Sequence, residues 1–153
     1  MQLTNILGHE AVKVVTSVTS KKRLFQEIGE LAHNVLGLDA TATVDALLDR
    51  ESLGPTGVGH GVALPHARMA GIDRVAGVFI LLEKPIDFGA VDRQPVDIVF
   101  ALFAPEQAGV EHLKALALVA RTLRDPSLCS KLRANPDSST VYAILTASQS
   151  IAA

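Results

Sequence analysis

The chain has 153 residues, 48% of them apolar and 20% charged, and a formal net charge of −2. That length and composition fit one domain with a substantial core and exclude an intrinsically disordered chain. The near-neutral balance excludes sequence-independent nucleic-acid binding, which needs a basic face. The one cysteine, Cys129, excludes an intramolecular disulfide and a cysteine-rich zinc site, and it is expected in a helix as a small apolar residue. The longest apolar run, residues 75–82, is far shorter than the ~20 residues that span a bilayer. Residues 1–5 do not resemble a signal peptide, so the expectation is a cytoplasmic protein with no membrane insertion.

Val12, Val14, Val15 and Val18 predict a first strand. Ser20 reads as an N-cap, Leu24, Ile28, Leu31 and Val35 follow at helical spacing, and Gly37 ends that helix. A second helix is expected from near Thr43 to near Glu51, which sets Arg50 at its C-terminus. Residues 61–66 read as a short strand, and residues 75–83 as a stronger one stopped by Lys84 and Pro85. Pro95 opens the almost continuously apolar run 96–103, the pattern of a strand covered on both faces, which residues 104–106 end. From Val110 the spacing is helical again, with Leu113, Leu116, Val119, Ala120 and Leu123 on one face, until Pro126 breaks it. Short helices are expected near residues 127–133 and 139–147, the latter carrying Val141, Ile144 and Leu145. Helices interleaved with strands predict an α/β fold, a single sheet with helices on its faces.

Residues 50–68 hold most of the chemistry. Gly54, Gly57, Gly59 and Gly61 make a backbone able to approach a ligand closely, and Pro65 then delivers His66. The segment is not a Walker A loop, since no Gly-Lys-Ser/Thr follows, and Val62 breaks the dinucleotide fingerprint. It reads either as a tight surface turn or as a nest of backbone N–H groups facing an anion, with Thr56, Gly57, Gly59 and Gly61 as the phosphate-loop candidates. His66 reads either as a hydrogen-bonded structural residue or as a nucleophile. Neutral imidazole, with an ordinary pKa of ~6.5, can attack phosphorus without a strong base and pass the phosphoryl group on. His112 opens a helix, where unpaired N–H groups favour anions; it is either a solvated polar residue or a second imidazole supporting the first. Arg50 is either a solvated helix-end charge or a planar fork for two phosphoryl oxygens. His60 reads as an exposed loop residue, and His9 and His33 as ordinary surface positions. No metal-ligand spacing and no Gly-x-Ser-x-Gly elbow is present, so neither a metal, a cofactor nor a hydrolase triad is expected. Val58, Pro65 and Met69 are expected to form an exposed apolar rim for a partner.

The stretch from Gly59 to Ala67, Gly-His-Gly-Val-Ala-Leu-Pro-His-Ala, resembles the phosphohistidine signature of the fructose/mannitol class of enzyme IIA in the phosphoenolpyruvate-dependent phosphotransferase system. Residues 50–66, 94–105 and 112–117 look most like its nitrogen-regulatory members, and the similarity runs from about Leu3 to Thr146. The resemblance implies one domain over residues 1–153, a mixed β-sheet sandwiched by helices. It makes His66 the phosphoryl acceptor through Nε2, Arg50 the neutraliser of phosphate charge and His112 the support of the acceptor. The implied donor is a small phosphocarrier resembling HPr, the nitrogen-type carrier NPr. The chain would be a component of a phosphotransferase system rather than a stand-alone enzyme. Its implied targets are proteins such as sensor kinases or potassium transport proteins, in nitrogen, carbon or potassium control. A sugar-specific enzyme IIA serving an enzyme IIB permease component, and a purely non-enzymatic binding module, stay open. The chain departs from the pattern at His60, where many relatives carry Asn, at Pro55 (Ser) and at Ala67 (Gly). It also has Arg93 where relatives often have Gly or Asn, and neither His60 nor Arg93 has a role legible in the sequence.

Overall fold

The computed structural model describes residues 1–152, with side chains described through residue 147. Strand β1 (Val12–Val15) leads to α1 (Lys21–Leu36) and α2 (Ala40–Ser52), then to three short strands, β2 (Gly57–Gly59), β3 (Val62–Ala63) and β4 (His66–Met69). Two long strands follow, β5 (Ala76–Ile86) and β6 (Val96–Pro105), and then α3 (Val110–Leu123), α4 (Pro126–Ala134) and α5 (Ser138–Ala152). The strands form one six-stranded mixed sheet in the order β1-β5-β6-β3-β2, with β4 also paired to β6. Every residue from Ala76 to Leu82 and from Val96 to Ala104 is buried, so the two central strands are covered on both faces. Phe79 and Phe100 meet edge-on at 6.1 Å inside that core, the electrostatically favoured aromatic geometry. The mixed-sheet α/β architecture is the one expected.

The run 96–103 reads correctly as a doubly covered strand: both alternating sets of its side chains are buried, and its edges are paired with β5 on one side and with β3 and β4 on the other. Helix α1 also follows its signals: the Ser20 hydroxyl accepts from Arg23 N at 3.1 Å, and Gly37 closes the helix at φ 73°. Buried Cys129 lies in α4, where its Sγ donates to Leu123 O and burial pushes the thiol pKa up.

Several boundaries differ from expectation. β1 stops at Val15; Val18 lies beyond it, half-buried, because residues 16–20 turn the chain into the α1 cap. α2 starts at Ala40 rather than near Thr43, since Asp39 is the cap that accepts from Ala42 N at 2.8 Å. Lys84 and Pro85 do not stop β5, which continues to Ile86; the pairing with β6 is irregular between Leu81 and Ile86, which tolerates a residue with no N–H. β6 likewise runs through Ala104 to Pro105. Residues 61–66 are not one strand but the end of β2's hairpin, β3 and the start of β4. In α3 the buried stripe is His112, Ala115, Leu118, Val119, Thr122 and Leu123, while Leu113 is 68% exposed. Packing the first-turn histidine inward rotates the helix by about one residue from its expected face.

Two turns hold non-glycine residues in the left-handed region, His60 at φ 58° and Arg93 at φ 61°. They are linked by Asp92, whose carboxylate accepts from His60 N at 2.9 Å and Gln94 N at 3.1 Å. Those backbone donors, His60 first, hold the Asp92 carboxyl below the ordinary carboxylate range. An L side chain in this region costs about 1–2 kcal/mol, partly offset in glycine by its greater unfolded freedom. Arg93→Gly is therefore expected to stabilise the protein by about 0.5–1 kcal/mol, read as a higher urea midpoint at unchanged slope.

Candidate functional site

The site is built on a break in the sheet. β3 and β4 pair parallel to the same edge of β6, Val62 and Ala63 opposite Ile98 and Val99, and His66 opposite Leu102. The carbonyls of Gly61 and Pro65 face β6 and accept from Ile98 N and Leu102 N. The Leu64 carbonyl instead lies 2.9 Å from Nδ1 of His66. A carbonyl only accepts, so Nδ1 carries the proton and Nε2 is left with its lone pair. From the other side Arg50, in the last turn of α2, donates Nε–H to that Nε2 at 3.3 Å. Its Nη1 donates to Gly54 O at 3.0 Å, so the guanidinium is fixed at two points.

His112 enters from the first turn of α3, with its ring centroid 5.7 Å from that of His66 and the planes 71° apart. It is 7% exposed, and its Nε2 has no hydrogen-bond partner among the described residues. Burial, followed by the nearby His66 and Arg68, pushes its pKa below the ordinary histidine value of 6.5. His112 is thus a neutral imidazole at pH 7, a hydrogen-bonding group rather than a charge. The structure brings together the three residues singled out in the sequence, Arg50, His66 and His112.

The glycine segment serves a different end. Thr56 donates both its N–H and its hydroxyl to Glu51, and His60 donates its N–H to Asp92. Gly57 packs so closely that an added Cβ would lie 2.6 Å from the Ala90 side chain, and Gly61 would meet Arg133 at 2.5 Å. Gly57 and Gly59 belong to β2, paired antiparallel with β3. The N–H groups of Thr56 and His60 are thus committed to carboxylates, and Gly57 and Gly61 let the hairpin pack against Ala90 and Arg133; Gly54 presents its carbonyl to Arg50.

The apolar rim also lies elsewhere than expected. Pro65 and Met69 are buried; Val58 is exposed, and the other large exposed apolar residues near the site are Leu53, Val110 and Leu113. Leu53 caps the helix carrying Arg50, and Val110 and Leu113 flank His112. His60 is exposed, as expected, and so are His9, its ring tilted against that of Tyr142, and His33.

One cation escapes a reading focused on the glycines. Arg68 alternates with buried Ala67 and Met69 on β4, so it projects on the same side as His66. Its Nη1 donates to the carbonyls of Glu106 and Ala108, in the loop that enters α3. The two-residue period after His66 was the signal in the sequence.

With fold and geometry in place, comparison gives the class. The family model described as "Phosphoenolpyruvate-dependent sugar phosphotransferase system, EIIA 2" matches residues 5–148. The chain belongs to that family, and its relatives place it on the nitrogen-regulatory branch. It is 45% identical to the nitrogen regulatory protein of Bradyrhizobium diazoefficiens, covering 95% of each chain. It is 41% identical to the nitrogen regulatory protein of Escherichia coli K12, over 95% of this chain and 90% of that one. The crystal structure of nitrogen regulatory protein IIA-Ntr from Neisseria meningitidis superposes with a TM-score of 0.86 at 39% identity, over 93% of this chain and 97% of that one. IIA mannitol from Escherichia coli, at 24% identity, shares the fold, with a TM-score of 0.75 over 90% of this chain and 97% of that one.

The depressed His112 pKa has a consequence for stability. The unfolded chain binds a proton near pH 6.5 and the folded chain only at lower pH, so His112 costs stability as pH falls below 6.5. Between pH 7.5 and 5.5, His112→Gln is expected to lose less stability than the wild type, measured by urea unfolding at both values. Equal losses in the two proteins would show that His112 protonates as freely folded as unfolded.

Proposed function

We propose that the chain is a regulatory phosphocarrier that takes a phosphoryl group on Nε2 of His66 from a phosphohistidine donor resembling HPr, of the nitrogen type (NPr). The observation that carries this reading is the doubly fixed ring, Nδ1–H on Leu64 O at 2.9 Å and Nε2 facing Arg50 Nε at 3.3 Å. The Nε2 lone pair attacks phosphorus, the new N–P bond forms, and the donor's N–P bond breaks with its electron pair returning to the donor imidazole. No proton has to leave the nucleophile. Phosphoryl transfer asks a protein mainly for positioning and charge neutralisation. Arg50 supplies the charge: Nη1 is held by Gly54, and the Nε–H that meets Nε2 in the resting protein passes to a phosphoryl oxygen once that nitrogen is bonded to phosphorus. Neutral His112 offers a further hydrogen bond at low desolvation cost.

Leu53, Val110 and Leu113 give the donor an apolar rim around a cationic centre, a suitable surface for a transient encounter. The transferred group adds a charge of about −1.5 to −2, which changes what this surface can bind. Signalling by that charge, to cytoplasmic targets such as sensor kinases or potassium transport proteins, is the output that fits the nitrogen-regulatory relatives.

Incubation with enzyme I, an NPr-type carrier and phosphoenolpyruvate is expected to give an acid-labile phosphoprotein. His66→Ala should take no label, and Arg50→Ala should label about 10²–10³-fold more slowly. An unlabelled wild type, or equal labelling of His66→Ala, removes the reading. Efficient onward transfer to a purified sugar-specific enzyme IIB would move the chain to the sugar-transport branch.

A further inference from the structure

Arg50 is only as well placed as the turn that holds its Nη1. Gly54 lies in that turn, and the neighbouring Ser52, Leu53 and Pro55 are exposed, so apolar packing does little to hold it. What closes the turn is the next residue after Arg50. The Glu51 side chain is 7% exposed, and its carboxylate accepts from Lys21 Nζ at 2.8 Å, Thr56 N at 2.9 Å and Thr56 Oγ1 at 2.6 Å. Lys21 is itself steadied over the Phe88 ring, 4.2 Å from its centroid. The carboxylate therefore ties α1, the end of α2 and the start of β2 together. The loop it spans presents the Gly54 carbonyl to Arg50 Nη1 at 3.0 Å, and Arg50 Nε reaches His66 Nε2 at 3.3 Å.

We infer that Glu51, latched between Lys21 and Thr56, is a positioning residue that holds Arg50 against His66 through the Gly54 carbonyl; its effect on rate rests on the phosphocarrier reading. A buried carboxylate accepting three hydrogen bonds is far stiffer than an exposed turn, and misplacing a charge-neutralising group is costly in phosphoryl transfer.

The test combines two readouts on Glu51→Ala, Glu51→Gln, Arg50→Ala and the double variant Arg50→Ala with Glu51→Ala. The first is the maximal rate of labelling by phosphorylated carrier, below each variant's melting range. Glu51→Ala is expected to slow labelling about tenfold, with Glu51→Gln between it and the wild type because its amide oxygen still accepts from Thr56 N. In the Arg50→Ala background the same change should cost less than about twofold, the mark of one residue acting through another. A wild-type rate in Glu51→Ala, or losses that simply multiply in the double variant, overturns the inference. The second readout is the Arg50 Nε–H signal in NMR spectra of the unphosphorylated protein, expected to be slow to exchange in the wild type and to exchange like that of an exposed arginine in Glu51→Ala. A signal unchanged in Glu51→Ala also overturns the inference. If the wild type takes no label but the signal is lost in Glu51→Ala, the positioning role stands and the phosphocarrier reading falls. Should Glu51→Ala not fold, Glu51→Gln carries both readouts.

Discussion

The site depends on one carbonyl that the sheet does not use. Along the edge of β6 the strand on the other side is interrupted between Ala63 and His66, and the Leu64 carbonyl is free to meet the histidine ring. That bond sets which nitrogen of His66 carries a proton and fixes the ring plane. It also works across two residues, so the acceptor and the ring it orients move as one. A proline between them restricts the backbone further, since φ at Pro65 is fixed. Nε2 of His66 is thus aimed by local covalent and hydrogen-bond geometry before any helix contributes.

The helices then supply what β4 cannot. α2 brings a cation at its C-terminal end, where its own dipole favours positive charge, and α3 brings a neutral imidazole at its N-terminal end, where unpaired N–H groups favour anions. Gly109, at the α3 N-cap, makes no side-chain cap bond. Two helix ends of opposite polarity meeting over one histidine form an arrangement suited to a group that alternates between neutral and strongly anionic. Under the proposed reading a fully cationic pocket would oppose release of the phosphoryl group, whereas here burial favours the uncharged form of the second imidazole.

The parts legible in the sequence were those whose cause is local. Ser20 and Gly37 announce α1 because caps act within a turn, and the run 96–103 announces β6 because a doubly covered strand has no polar face to hide. Arg50, His66 and His112 were legible through motif and spacing, and the fold brings them together. What stayed hidden depends on tertiary partners. The glycines of residues 57–61 look like a ligand loop, yet they are needed because Ala90, Arg133 and Asp97 approach the backbone too closely for side chains. Leu113 fits an apolar stripe by spacing, but burying His112 turns it outward. Glu51 reads as one more helix-end charge until Lys21, 30 residues away, is seen beside it. The left-handed turns at His60 and Arg93 are not announced by a glycine or asparagine in this chain; the hint is that relatives carry Asn, and Gly or Asn, at those places.

Under the proposed reading, the signal is electrostatic rather than a change of shape. The sheet beneath His66 is covered on both faces, and close-packed interiors of this kind resist continuous deformation. Of the exposed apolar residues, Leu53, Val110 and Leu113 sit on the two helix ends that carry Arg50 and His112, so partner contact and phosphoryl charge share one surface. Adding about two negative charges there offsets Arg50 and Arg68 and reverses the local sign without moving the apolar rim. A partner that matches the rim but needs a cationic centre is then rejected by charge alone, and one that needs an anionic centre is accepted by the same apolar contacts. Discrimination of this kind calls for no second conformation, only for a guanidinium whose position does not drift between the two states. That requirement falls on the turn at residues 51–56, which is why a buried carboxylate with no contact to the His66 ring matters to the behaviour of the whole surface.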